Sequence, residues 1–164
     1  MDFGRTSDVT VTLPPKLAGT LFVTVEQDDG TLMVDADLDR LVAHNTDGNV
    51  VLNGSAHAVE ITAKDGNVLS RKPLAVNESF VADSVDGNVD VAFADPAPRR
   101  IEATTHDGNI AVILPPTGPY LVRTQSSDDA SVRVPETTDP ARAVSEVTVR
   151  SDDGNVVVDT RKRG

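Results

Sequence analysis

One short segment dominates this sequence. Asp-Gly-Asn followed by Val or Ile occurs five times: in TDGNVVL (46–52), KDGNVLS (64–70), VDGNVDV (85–91), HDGNIAV (106–112) and DDGNVVV (152–158). A turn that recurs with its flanking residues implies a repeated structural unit, so the period comes before any other feature. Taking the turn aspartate as the origin places units at Asp8, Asp29, Asp47, Asp65, Asp86, Asp107, Asp129 and Asp153. Successive intervals are 21, 18, 18, 21, 21, 22 and 24 residues. Asp8 and Asp129 are degenerate copies with Val9 and Ala130 in place of the turn glycine, and Asp29 keeps Gly30 but has Thr31 in place of asparagine.

The apolar residues keep one register through the copies. Three and five positions after the aspartate stand Val11 and Leu13, Leu32 and Val34, Val50 and Leu52, Val89 and Val91, Ile110 and Val112, Val132 and Val134, Val156 and Val158. Six and four positions before it stand Val23 and Val25, Leu41 and Ala43, Val59 and Ile61, Phe80 and Ala82, Ile101 and Ala103, Val147 and Val149. Before Asp129 this arm moves by one, to Val122 and Thr124, which predicts a one-residue bulge. Two before the aspartate the residue is small or polar: Gln27, Asn45, Ala63, Ser84, Thr105, Ser151. Alternation at period two in Val- and Thr-rich runs such as TLFVTVE and SEVTVR describes half-buried strands. Only DLDRLVAH (37–44) could pass for a helical turn, and it is too short to count. The chain is predicted to be all-β.

Prolines mark the other side of each unit. Pro14, Pro15, Pro73, Pro96, Pro98, Pro115, Pro116, Pro119, Pro135 and Pro140 all fall between the strand-corner-strand segments, where the units differ in length. A residue without an N–H is kept out of central ladders, so one side of the unit is constant and the other takes up insertions. Two architectures satisfy this pattern. In a meander each Asp-Gly is a two-residue hairpin. In a β-solenoid each unit is a rung stacked on the next, and like residues form columns. Recurrence of the asparagine and valine as well as the Asp-Gly favours the solenoid, because stacked amides form ladders that reward identity.

The stretches SVDGNVDVAF, ATTHDGNIAVILPP and VRSDDGNVVVD resemble a bacterial family of adhesin-like proteins with β-strand repeats, also called toast-rack domains. The likeness runs from Asp8 to Asp159. It implies a right-handed, single-stranded β-helix, here of about eight rungs with an 18–24-residue repeat, filling one domain over 1–164. It also implies a family tied to the cell envelope and, in some members, to the sensing of membrane stress.

Composition limits function more than it suggests it. With 38% hydrophobic residues the chain can fill one core, and its 15 basic against 26 acidic residues leave a net charge of −11. That charge disfavours nucleic acid and anionic lipid, and suits cations or basic partners. No cysteine is present, which removes disulfides and thiolate metal sites. The chain has no apolar run long enough to span a bilayer, and MDFGRTSDVTV has neither the basic nor the apolar region of an export signal. No membrane insertion is expected, and family resemblance alone points to the envelope.

Candidate chemistry is sparse. The column Asp47, Gly48, Asn49; Asp65, Gly66, Asn67; Asp86, Gly87, Asn88; Asp107, Gly108, Asn109; Asp153, Gly154, Asn155 reads as a structural turn ladder. In that reading each aspartate accepts the N–H two residues on and glycine takes positive φ. Calcium on stacked carboxylates is the alternative, yet the glycine-rich nonapeptide period of calcium-binding repeats is missing. His44, His57 and His106 sit at three different offsets from their aspartates, so they do not predict a shared zinc or acid–base site. His106 beside Asp107 is the best catalytic pair available to a hydrolase or acyltransferase. No nucleophile elbow, phosphate loop or dinucleotide fingerprint occurs. Arg99 and Arg100 read as a solvated edge, and a lone Tyr120 without any Trp argues against a sugar platform. Arg161, Lys162 and Arg163 read as charges that blunt the last rung, while the uncovered first rung leaves end-to-end association of copies open. The expectation is a non-enzymatic scaffold or binding module without metal or cofactor, contacting a protein or envelope partner through its variable side.

Overall fold

A computed structural model describes residues 9–12, as backbone, and 20–161. Thirteen strands form among these residues, and every pairing is parallel. They are β1 (Val9–Thr12), β2 (Phe22–Asp29), β3 (Leu32–Asp47), β4 (Val50–Asp65), β5 (Val68–Ser70), β6 (Ala75–Asp86) and β7 (Val89–Ala92). Then follow β8 (Arg100–Asp107), β9 (Ile110–Leu114), β10 (Tyr120–Ser126), β11 (Ala130–Arg133), β12 (Ser145–Asp153) and β13 (Val156–Thr160). An all-parallel arrangement excludes the hairpin meander, whose neighbours must be antiparallel. The architecture is a β-solenoid of about six turns, fewer than the eight counted from the sequence, with a repeat of about 21 residues. At the spacing of paired strands the stack is roughly 30 Å long.

Each turn is a strand, a sharp corner at Asp-Gly and a second strand. Alternate residues point inward, and equivalent ones stack: Leu41 on Val59 on Phe80 on Ile101 on Val147 before the corner, and Leu32, Val50, Val68, Val89, Ile110 and Val156 after it. All of these are buried. Phe80 and Phe93 pack edge to face at 5.1 Å between centroids, and Tyr120, fully buried, donates its hydroxyl to the carbonyl of Pro115. Residues 37–44 are strand within β3, because stacking between β2 and β4 overrides any local helical tendency. Where the repeat is 18 residues, β3 and β4 run straight through the side opposite the corner. Where it is longer, that side opens into 71–74, 93–99, 115–119 and 134–144, which hold every proline among the described residues.

Both degenerate copies depart from the sequence reading. Val9 pairs with Leu32 and Val11 with Val34, two residues away from the register counted from Asp8. Asp8 and Leu13 themselves lie outside the described residues. Val122 and Thr124 pair with Val147 and Val149 in unbroken register, so no bulge occurs there. Instead the corner is one residue short. Ser126 pairs with Ser151 and Ala130 with Val156, so Val132 stacks on Val158. Asp129 thereby takes the place of an asparagine, its N–H donating to Asn155 Oδ1 and its carbonyl accepting from Val156 N–H. A bulge does occur elsewhere, in β6, between the pairings Ala56–Val76 and Ala58–Ser79.

The largest departure is the order of the turns. From β2 to β9 each turn stacks on the one before it. β12 then pairs with β8 and β13 with β9, while β10 and β11 lie outside them. The last turn of the sequence is seated inside the stack, and the degenerate turn caps it. Consequently Arg161 follows an internal strand, its N–H donating to Leu114 O, and does not blunt an edge. Lys162 and Arg163 lie outside the described residues.

Candidate functional site

The corner brings together the residues the repeat made conspicuous. Asp29, Asp47, Asp65, Asp86, Asp107 and Asp153 are successive partners in one column. Gly48, Gly66, Gly87, Gly108 and Gly154 have φ between +127° and +152°. A Cβ on Gly66 would come 1.8 Å from the carbonyl oxygen of Gly48, so backbone contact between turns, besides the torsion, requires glycine. Asn67, Asn88 and Asn109 each donate Nδ2 to the Oδ1 of the preceding asparagine, at 3.1, 3.1 and 3.4 Å. The backbone N–H groups of Asn67, Asn88 and Asn109 donate to the same oxygens, and that of Asn155 to Asn109 Oδ1. These amides are the donors that an Asx turn at Asp65, Asp86, Asp107 or Asp153 would use. The ladder claims them, so these aspartates do not close their own corners.

Released from that role, the carboxylates face outward and crowd one another. Asp47 is held above its usual value of 3.8 first by side-chain hydrogen bonding with Asp65, with desolvation and the charges of Asp65 and Asp29 adding to it. Asp86 is raised by desolvation and then by Asp107 and Asp65. Among the described residues no group of three His, Asp or Glu side chains is placed to hold a metal ion.

Beside the ladder, along the outer face of β5, β7, β9 and β13, runs an open trough of about 540 Å³. Its wall is Asn67, Asn88, Asn109 and Asn155, and its floor includes Leu69, Ala111 and Val157, with Asp90 as its charge. A separate, partly open apolar recess against Leu38, Leu52 and Val76 measures about 20 Å³, too small for a ligand.

The three histidines are exposed and fall in different columns. His106 pairs with Asp152, Nδ1 to Oδ2 at 3.0 Å, and not with its neighbour Asp107. The bond raises His106 above 6.5 and lowers Asp152 below 3.8, Arg150 adding to the latter. Ser127 occupies the next position in the same column and donates to Asp152 O, and to Asp153 Oδ1 at 3.3 Å. Serine, histidine and aspartate therefore do meet, but in the order His106, Asp152, Ser127. Activating a hydroxyl requires the imidazole between the other two, so this set is not wired as a nucleophilic triad. Arg100 bonds Glu102 at 2.6 Å, and Arg99 serves through its backbone, its carbonyl accepting from Glu146 N–H. Tyr120, inside the core, offers no stacking surface.

Sequence reasoning located the corner columns, because their identity is in the repeat. It missed Asp152 and Ser127, whose proximity to His106 depends on turn order, and it missed the trough, whose floor is a column with no fixed residue type. Among the described residues no helix is long and apolar enough to cross a membrane. Compared with family models, with curated proteins and with solved structures, the chain matches none.

Proposed function

We propose that this protein is a non-enzymatic binding module, a rigid β-solenoid that presents its variable, proline-bearing side to a protein or cell-envelope partner. The observation that supports this reading is the placement of 93–99, 115–119 and 134–144. They gather on one side of consecutive turns and build a non-repeating surface on a stack whose interior is filled. Right-handed winding and an adhesin-like role at the envelope come from the family resemblance and stand with this proposal. Exposed loops on a rigid frame are where recognition is usually placed, although fold alone never assigns it.

The test is co-sedimentation of the purified chain with isolated bacterial envelopes. Binding by the wild type is expected, with loss in a variant whose exposed loop residues Asp95, Pro96, Arg99 and 138–142 are replaced by Gly and Ser, the buried Phe93 being kept, and whose melting is unchanged. Binding that survives the loop exchange overturns the assignment to this side. Hydrolase or acyl-transfer activity abolished by His106→Ala overturns the non-enzymatic reading.

A further inference from the structure

Insertion of the last turn has a consequence for how copies of the chain meet. Segment 145–160 is flanked on both sides: β12 by β8 and β10, β13 by β9 and β11. Its leading end is held between two connectors, since Val144 N–H donates to Pro119 O and Glu146 N–H to Arg99 O, each at 2.9 Å. In the strand order, β10 and β11 reach the stack only through β12 and β13. Until 145–160 arrives, β8 and β9 therefore present an open, parallel edge whose corner is a complete Asp107-Gly108-Asn109. Such an edge is a template for any strand of matching pattern.

The pattern it selects is narrow. An incoming corner of full length must carry glycine where Gly154 sits, because a Cβ there would lie 2.1 Å from Gly108 O. It must carry a donor for Asn109 Oδ1, which Asn155 N–H supplies at 2.9 Å, and a small hydroxyl for Gly108 O, which Ser151 supplies at 2.9 Å. Segment 145–160 meets all three demands and offers a complete corner in turn. Segment 120–133, the next in the chain, seats on such a corner through Ser126 and Asp129 but lacks the glycine and one residue, so it continues no ladder beyond itself. The covalent link that leads from its own stack into 145–160 is 134–144, most of it exposed. Nothing in these contacts distinguishes the chain's own rung from that of another copy.

We infer that 145–160 is an exchangeable rung and that its partner, besides its own stack, is a second copy of this chain. Two molecules seat each other's 145–160 between β8–β9 and β10–β11, with 134–144 as the hinge. Exchange of an identical element is a low-cost route to a closed dimer.

The chain has no cysteine, so introduced pairs report the exchange directly. Ala111→Cys with Val157→Cys bridges β9 and β13, and Arg123→Cys with Thr148→Cys bridges β10 and β12. Paired parallel strands are about 4.8 Å apart, within the Cα range of a disulfide. Each full-length variant is held in mild denaturant at several concentrations, returned to buffer, oxidised and run on a non-reducing denaturing gel. Both pairs are expected to give covalent dimers, their share rising about tenfold per tenfold rise in chain concentration while dimers are scarce, as mass action requires. Dimers by size exclusion that run as monomers on the gel with either pair overturn the inference, because the rung or the hinge is then wrong. Absence of dimers at every concentration, with the monomer refolded, overturns it as well.

Discussion

At the scale of single residues, the corner is decided by what each side chain does to the turn stacked on it. Gly66, at φ +138°, has the carbonyl of Gly48 where a Cβ would go. Gly66→Ala is expected to cost about 2–4 kcal/mol, combining backbone strain with an unyielding backbone contact. A urea titration checks this, and a loss under about 1 kcal/mol would mean the turns can separate at the corner. The inward position two before the aspartate offers a gain instead. Thr105 and Ser151 donate to the glycine carbonyl of the preceding turn at 3.0 and 2.9 Å, whereas Asn45, 5% exposed, has neither side-chain atom bonded. Ser84 in the same column leaves its hydroxyl unbonded, so threonine, whose methyl orients the hydroxyl as at Thr105, is the replacement of choice. Asn45→Thr is expected to aim a hydroxyl at Gly30 O, and it removes an unsatisfied amide. It is expected to stabilise by about 1 kcal/mol, read as a higher urea midpoint at unchanged m.

At the scale of elements, the charges between neighbouring strands make stability depend on pH in two opposed ways. His106 on β8 binds its proton more tightly in the folded protein because Asp152 on β12 accepts its hydrogen bond. The stabilisation is complete below 6.5 and is lost as pH rises through the raised folded value. Asp152 is the reverse case: its contribution is present above 3.8 and is lost as pH falls through its lowered folded value. Asp47 and Asp86 are raised, so the folded state holds protons that the unfolded chain releases, and stability increases as pH falls from their raised values to 3.8. Thermal melts across pH 4–8 test this (about one reading per half unit). Asp86→Asn should remove part of the gain on mild acidification, and His106→Gln part of the loss above pH 6.5. A pH profile unchanged by either substitution would show that these exposed groups are screened and uncoupled.

At the scale of the whole molecule, turn order governs which parts open first. Position in the stack, and not position in the chain, sets how many neighbours a strand has. Amides of 147–158 in the internal rung are expected to exchange more slowly than those of 121–132 in the capping rung, although the former lie nearer the chain terminus. Hydrogen exchange resolved by residue decides it, and the opposite ranking would contradict the inserted order. The same order explains where the degenerate copy ended up. A corner lacking glycine and one residue, at 127–129, would interrupt the ladder from Asn109 to Asn155 if it lay between them. At the end of the stack it serves one neighbour and the deficit faces outward.

The sequence by itself determined the unit. Period, strand alternation, the Asp-Gly corner and the Val, Ile and Leu columns are written in residue identities that each turn needs locally, and stacking then repeats them. It also placed the prolines on the side that varies, since a missing N–H can be tolerated only there. What it left undetermined was everything that depends on which turn lies against which. Both degenerate registers, the pairing of His106 with Asp152 in place of Asp107, the burial of Tyr120 and the internal position of 145–160 were settled in the tertiary structure. The physical reason is that repeats with the same columns are nearly interchangeable as neighbours. Their order is chosen by small differences, a missing glycine or a broken amide ladder, which acquire a cost only when two turns are in contact.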